Sequence, residues 1–216
     1  MPDTRDALEA ALAAHPDDAA LHAAYADFLL EAGDPRGEYI RLQLELEKPD
    51  LPPTMRADLW QRQSELFRTH SRTWVGPLAG HPAGLVGHWR RGWIRSVRVP
   101  RYRPGVFQLL ATAPITRLLH QLDLSGAHIG DDGVDELIAS GLIARLHSLD
   151  LRQCDISDDG AEALARCPAV AKLESLSLDS NNLSPIGAAA LAAIGFTDLG
   201  PQRFIPDDRT WNDPND

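Results

Sequence analysis

The stretch that decides the fold runs from Leu119 to Leu191, because it repeats itself every 27 residues. In register it reads L-H-Q-L-D-L-S-G-A-H-I (119–129), L-H-S-L-D-L-R-Q-C-D-I (146–156) and L-E-S-L-S-L-D-S-N-N-L (173–183). The matched columns are Leu119/Leu146/Leu173, Leu122/Leu149/Leu176, Leu124/Leu151/Leu178, Ala127/Cys154/Asn181, Ile129/Ile156/Leu183, Gly133/Gly160/Gly187 and Leu137/Leu164/Leu191. A fixed period of roughly 20–50 residues marks stacked supersecondary units, none of which can bury its apolar face alone. Inside each unit the apolar period changes: L-x-x-L-x-L alternates as a strand does, and the stretch after Gly133 has helical spacing.

These residues resemble the leucine-rich repeat, L-x-x-L-x-L-x-x-(N/C)-x-L, in the long strand-and-helix form of ribonuclease-inhibitor-like proteins. The resemblance implies an α/β fold: a short solenoid with parallel strands on its concave side and helices on its convex side. The full repeats span 119–145, 146–172 and 173–199. Ile94, Val97 and Val99 alternate ahead of them, so 89–118 reads as a degenerate first repeat with a short helix over Val106–Ala113.

Upstream, apolar spacing and break signals predict four helices. The first is capped by Asp3 or Thr4 and buries Leu8 and Leu12; the second carries Leu21, Ala24, Tyr25, Phe28 and Leu29 up to Gly33. The third holds Tyr39, Ile40, Leu42 and Leu46, and the fourth runs from Pro53 or Thr54 through Leu59, Leu66 and Phe67 to about His70. Residues 23–43, A-A-Y-A-D-F-L-L-E-A-G-D-P-R-G-E-Y-I-R-L-Q, resemble a small helical "repeat-companion" domain found in bacterial proteins ahead of repeats. W-V-G-P-L (74–78) and W-R-R-G-W-I-R-S-V-R-V (89–99) extend that resemblance. The expected division is a helical α-domain over 1–80, a repeat domain over 81–205 and an acidic tail over 206–216. The glycine- and proline-rich 76–88 forms the passage between the first two. Leu199, Phe204 and Ile205 are expected to cover the last core edge.

Composition narrows the function classes. No run approaches the about 18 apolar residues of a membrane span, and the acidic start M-P-D-T-R-D is unlike a signal peptide. Two cysteines, Cys154 and Cys167, give neither a disulfide framework nor metal spacing, so a reducing cytoplasmic location is expected. Cys154 and Cys167 read as structural. No P-loop, G-x-S-x-G, H-E-x-x-H or cysteine–histidine signature occurs, and the expected protein has no catalytic residue, metal or cofactor. The Asp131-Asp132 and Asp158-Asp159 pairs read as helix N-terminal charge rather than ligands, since Pro185 replaces them in the third copy. Asp34, Arg36 and Glu38 read as an internal charge network of a helix connection.

The remaining candidates are surfaces. Residues between the inward leucines face the concave side, giving a protein-binding set of Arg98, Gln121, Asp123, Ser148, Asp150, Arg152, Ser177 and Asp179. Net charge is −10, yet 89–103 holds six arginines and no acid. Arg90, Arg91, Arg95, Arg101 and Arg103 therefore form a candidate basic patch, interleaved with Trp89, Trp93 and Tyr102 as a nucleic-acid surface is. The principal expectation is a monomeric, non-enzymatic module or scaffold for protein partners. Nucleic-acid or polyanion binding through 89–103 is one alternative, and a regulatory target or inhibitor of another enzyme, such as a protease, is another. Four strands about 4.8 Å apart and about 17 Å long give a concave patch on the order of 300 Å². A stable interface buries about 800 Å² per partner, so flanking surfaces are expected to contribute.

Overall fold

A computed structural model describes residues 4–203. Asp3, Phe204, Ile205 and the tail 206–216 lie outside the described residues. Four helices come first: α1 (Thr4–Ala14), α2 (Ala19–Glu31), α3 (Arg36–Leu46) and α4 (Pro53–Val75). Asp18 caps α2, its carboxylate accepting the N–H groups of Ala20 and Leu21. Helix α4 continues beyond the expected His70 to Val75, where Gly76 (φ +57°) ends it.

The passage segment holds a strand that the sequence reading lacks. Val86–Arg90 (β1) pairs antiparallel with Trp93–Arg98 (β2). Arg91 (φ 50°) and Gly92 (φ 78°) form the two left-handed residues of the turn. The sheet then continues in parallel through β3 (Gln121–Asp123), β4 (Ser148–Asp150) and β5 (Ser175–Ser177), in sequence order. Register follows the repeat: Val97, Leu122, Leu149 and Leu176 are successive partners, flanked by Ser96/Gln121/Ser148/Ser175 and Arg98/Asp123/Asp150/Ser177. Helices α5 (Val106–Thr112), α6 (Gly130–Ala139), α7 (Asp158–Arg166) and α8 (Pro185–Ala192) return the chain from each parallel strand.

The repeat leucines account for the core. Leu122, Leu124, Leu149, Leu151, Leu176 and Leu178 are buried with Val134, Leu137, Leu164 and Leu191 in one cluster reaching back to Leu78 and Ala83. A second cluster joins Leu12, Tyr25, Ala26, Leu29 and Ile40 of the helices to Trp93 and Leu118 from the repeat side. Cys167 closes α7 as its half-buried C-cap.

At the turn out of each strand, the residue column works as a ladder. Asn181 Oδ1 accepts the N–H groups of Cys154 (3.0 Å) and Ile156 (3.1 Å), and its Nδ2 donates to the carbonyls of Leu151 (2.7 Å) and Leu178 (2.8 Å). Cys154, fully buried, donates its Sγ–H to the Leu124 carbonyl at 3.0 Å. Burial pushes that thiol up to about 12, so it stays protonated and inert.

The acidic pairs cap helices, but not chiefly their own. Asp131 accepts from the Ser157 N–H (2.9 Å) and Oγ (2.6 Å) of the following repeat. Asp158 accepts from the Ser184 N–H (2.8 Å) and Oγ (2.5 Å), and from the Gly187 N–H (3.1 Å). Hydrogen bonds from these donors hold the Asp158 carboxyl below the usual carboxylate range, outweighing the opposing effect of desolvation. The same contact explains two glycines of the column: a Cβ at Gly160 would strike Asp131, and one at Gly187 would strike Asp158, while one at Gly133 would strike Ile129. Helix α8 is the last helix among the described residues, and Pro185 stands there in the aspartate column.

The two aspartates of one pair are therefore expected to behave differently. Asp158→Ala, which strips the α8 N-terminus of its acceptor, should cost about 1–2 kcal/mol. Exposed Asp159→Ala should stay within about 0.5 kcal/mol. Urea denaturation of both variants measures the difference, and equal midpoints would refute the cross-repeat cap.

Candidate functional site

The sheet face opposite the returning helices collects the predicted protein-binding residues. Arg98, Gln121 and Arg152 are exposed; Asp123, Ser148, Asp150, Ser177 and Asp179 are half-buried. Arg98 Nε stands 3.6 Å from Asp123, as their register requires. Asp123 in turn neighbours Asp150, whose carboxylate takes the Arg152 guanidinium at 2.6 Å. The result is a charge row, Arg98–Asp123–Asp150–Arg152, that is neutral in sum. Backbone contacts fix both acids: Asp123 accepts the Ser125 N–H at 2.8 Å and Asp150 the Arg152 N–H at 3.0 Å. Asp179 packs against Gly200 and, with Ser125, Arg152, Gln153 and Ser180, lines a shallow hollow of about 320 Å³.

Strands β3, β4 and β5 are only three residues long, or about 10 Å at about 3.3 Å per residue. The patch formed with β2 is thus on the order of 200 Å², smaller than the sequence-based figure.

The predicted basic patch does not assemble as a patch. Arg91 and Arg95 are each only 6% exposed. Arg91 is clamped by Glu47, with Nε at 3.0 Å from Oε1 and Nη2 at 2.6 Å from Oε2, and its Nη1 donates to the Asp17 carbonyl at 2.7 Å. Arg95 Nη1 donates to the Pro16 carbonyl at 2.9 Å and lies 3.4 Å from the Asp17 carboxylate. Arg90 shares the same acids, at 3.3 Å from Asp17 and 3.6 Å from Glu47. Trp93, wholly buried, is not available to stack on a base. Arg101 and Arg103 remain exposed, leaving two of the five cations for an outside polyanion.

What the segment does instead is join the two halves. The hairpin tip sits against α2 and α3: Gly92 N–H donates to Gln43 Oε1 at 2.8 Å, and a Cβ on Gly92 would strike Ile40. Trp93 stacks on Tyr25 with ring centroids 5.4 Å apart, and the Arg36 guanidinium lies 4.9 Å above the Trp93 ring. Arg36 also donates to the Tyr25 hydroxyl, which donates to Glu9 at 2.7 Å. The expected internal network of Asp34, Arg36 and Glu38 is accordingly not formed. The Asp34 carboxylate accepts the Arg36 backbone N–H (2.9 Å), and Glu38 pairs with Arg62 of α4 at 2.6 Å. Arg36 turns inward because an aromatic face and a hydroxyl await it there.

Sequence reading missed Asp17, Gln43 and Glu47 as partners of the arginines, and it missed β1. A signal for the hairpin was present: W-R and W-I flank R-G, a two-residue turn sequence between short alternating segments.

For chemistry the described residues offer little. No group of three or more His, Cys, Asp or Glu side chains among them could hold a metal ion. His120 and His147 meet edge to face at 5.8 Å. Desolvation, with Arg95 and His147 adding, lowers the His120 pKa and keeps the ring neutral. His128 Nδ1 lies 2.6 Å from Asp155 on the exposed surface, with no nucleophile bonded to the pair. No described helix is long and apolar enough to cross a membrane.

Stacked strand–turn–helix units on a parallel sheet define the repeat class of α/β architecture. The Leucine Rich repeat family model matches residues 117–137, 146–165 and 171–192, one segment per full copy, so this part of the chain is similar to leucine-rich repeats. Leucine-rich repeats generally serve as protein-interaction modules. No curated protein matches the chain.

The arginine clamp has a pH signature. Hydrogen bonding and charge from Arg91 hold the Glu47 carboxyl below the usual carboxylate range. Its stabilising contribution is therefore complete above the unfolded-state pKa and is lost as pH falls through the lower folded-state value. Glu47→Gln should cost about 1–2 kcal/mol at neutral pH. Its stability should also fall less than that of the parent between pH 5 and the acid limb, near and below about 4.3. Thermal melts across pH test this, and parallel acid limbs would count against the clamp.

Proposed function

We propose that the protein is a non-enzymatic scaffold whose repeat domain binds a protein partner through the concave sheet face and its flanks. The observation that supports this reading is the charge row Arg98–Asp123–Asp150–Arg152, in which exposed arginines flank half-buried aspartates, set in register on consecutive strands. Neither core packing nor helix capping requires a charged side chain at these positions. Gln121, Ser148, Ser177 and Asp179 extend the surface on either side.

Because the row is neutral in sum, it favours a partner that presents matched acid and base rather than a uniform charge. Because the patch is on the order of 200 Å², stable binding needs contacts beyond it. Arg101 and Arg103, exposed beside the first repeat, are suited to supply some of them. In this reading residues 1–80 form the helical repeat-companion domain and 81–205 the repeat domain. The protein acts in the bacterial cytoplasm as a monomer, without metal or cofactor.

The test is partner recovery. Protein carrying Asp123→Ala, Asp150→Ala and Arg152→Ala together should retain its fold by circular dichroism and lose at least tenfold of its captured partner in a quantitative pull-down. Undiminished recovery by the folded variant would remove this surface from the binding site.

A further inference from the structure

The outer strand of the sheet is unprotected. β1 pairs with β2 alone, and among the described residues no backbone hydrogen bond reaches Val86–Arg90 from the other side. A row of free N–H and C=O groups is a template for another strand. Its guards are Arg90 and an irregularity in register between His88 and Trp89; the strand contains no proline or lysine, and Val86 at its start is 50% exposed.

Behind this edge lies a groove of about 510 Å³ between α4 and the hairpin, whose walls include Phe67, Val75, Leu85, Trp89, Ile94 and Val97. That volume falls in the range of about 300–1,000 Å³ typical of small-molecule pockets. Gly87 lines the groove and packs directly on Ile94. Strand alternation turns positions 87 and 89 toward Ile94, and position 87 is glycine, so no side chain occupies the space beside Trp89. A Cβ there would come within 3.3 Å of Ile94. A glycine inside a strand often marks the close approach of a ligand or a second backbone.

The groove also has a charge. Arg72 lines it and is exposed, and Arg68 lies one helical turn earlier on the same face of α4. Neither forms an ion pair among the described residues, although Arg62 on the same helix forms two.

We infer that the β1 edge and the groove behind it form a docking site for an extended peptide segment of a partner protein, whose groove-facing side chains are apolar and acidic. The segment adds as a sixth strand beside β1. Its main chain pairs with the free edge, and the side chains that alternation turns to the α4 side enter the groove, apolar ones beside Trp89 and Gly87 and acidic ones beside Arg68 and Arg72. A second copy of the chain is a poorer occupant: its own β1, V-G-H-W-R, brings no acid and would face arginine with arginine. This site is separate from the β3–β5 face and does not depend on the charge row.

The probe is a fluorescein-labelled heptapeptide, Asp-Thr-Leu-Thr-Leu-Thr-Asp, whose aspartates and leucines share one face of a strand, titrated into the full chain by anisotropy and into ¹⁵N-labelled protein by NMR. The expected result is saturable binding with amide shifts at residues 85–90 and along the groove. Replacing the aspartates by lysine should weaken binding at least tenfold, as should Arg72→Glu, an exposed change that leaves the core intact. Proline at alternate peptide positions, which removes main-chain donors, should abolish binding, and raised salt should weaken it. Gly87→Leu should block the groove; if that variant does not fold, Val86→Asp at the exposed edge is read in its place. The Asp123/Asp150/Arg152 triple-alanine variant should bind the probe as the parent does. Absence of binding at millimolar peptide would overturn the proposal, as would equal affinity for the lysine peptide, shifts confined to residues 121–179, or a dimer that is dissociated by Val86→Asp.

Discussion

Trp93 between the Tyr25 ring and the Arg36 guanidinium is the contact on which the arrangement of the chain depends. An indole of this size buries about 150–250 Å², worth about 4–6 kcal/mol as an upper estimate. It belongs to the helical cluster, while Ile94 and Val97 of the same strand belong to the repeat cluster. Its neighbours add directed contacts: Gly92 donates to Gln43, Arg91 is gripped by Glu47, and Arg95 reaches the Pro16 carbonyl. Each constrains the others, because Gly92 fits against Ile40 only without a side chain, and the tight turn it allows is what aims Arg91 and Trp93 into the helices. Arg36 is the cost of this design, a buried cation whose Nε has no partner. Its compensation comes from two aromatic faces and the Tyr25 hydroxyl rather than from a direct carboxylate.

A second kind of coupling runs along the repeats and has a direction. Asp131 caps the helix of the next copy, and Asp158 does the same one copy later. Asn181 reaches the other way, filling the backbone of the preceding turn at Cys154 and Ile156. Each unit therefore completes its neighbour, the nearest-neighbour interdependence expected of a stacked array. Differences between the copies obey this logic. Proline stands in the aspartate column of α8, and Cys154 supplies one thiol donor where Asn181 supplies two donors and two accepted bonds.

The repeats were legible because their information is periodic. A leucine column, its strand register and the outward position of Asp123 or Arg152 all follow from spacing alone. The hairpin and the arginine clamp were not, for two physical reasons. β1 is short and carries a glycine on its inward side, which weakens the alternation that marks a strand. The partners of Arg91 and Arg95 lie 44 residues or more away, and a run of arginines without acid looks solvated when its counter-charges belong to another element. The Asp pairs fell between these cases. Helix capping could be read from their position, but the capped serine lies 26 residues downstream, a separation that only stacking brings into contact.

With Arg91, Arg95 and Trp93 given to internal docking, recognition falls to what that docking holds in place. The β3–β5 face offers side chains of paired charge, which in the proposed role would select a partner by orientation more than they add affinity. The β1 edge offers what that face lacks, main-chain groups without partners and apolar space beside them. Both are rigid for the same reason: β2 sits between them, carrying Arg98 toward one face and Ile94 toward the groove, while Trp93 anchors it to the helices. A strand fixed at its tip by a buried indole loses little conformational freedom when a partner arrives, and preorganisation of that kind lets a small surface bind usefully. The helical half is thereby more than a cover for the end of the stack. It contributes Phe67, Arg72 and Val75 to the groove wall, so the two halves together make a surface that neither has alone.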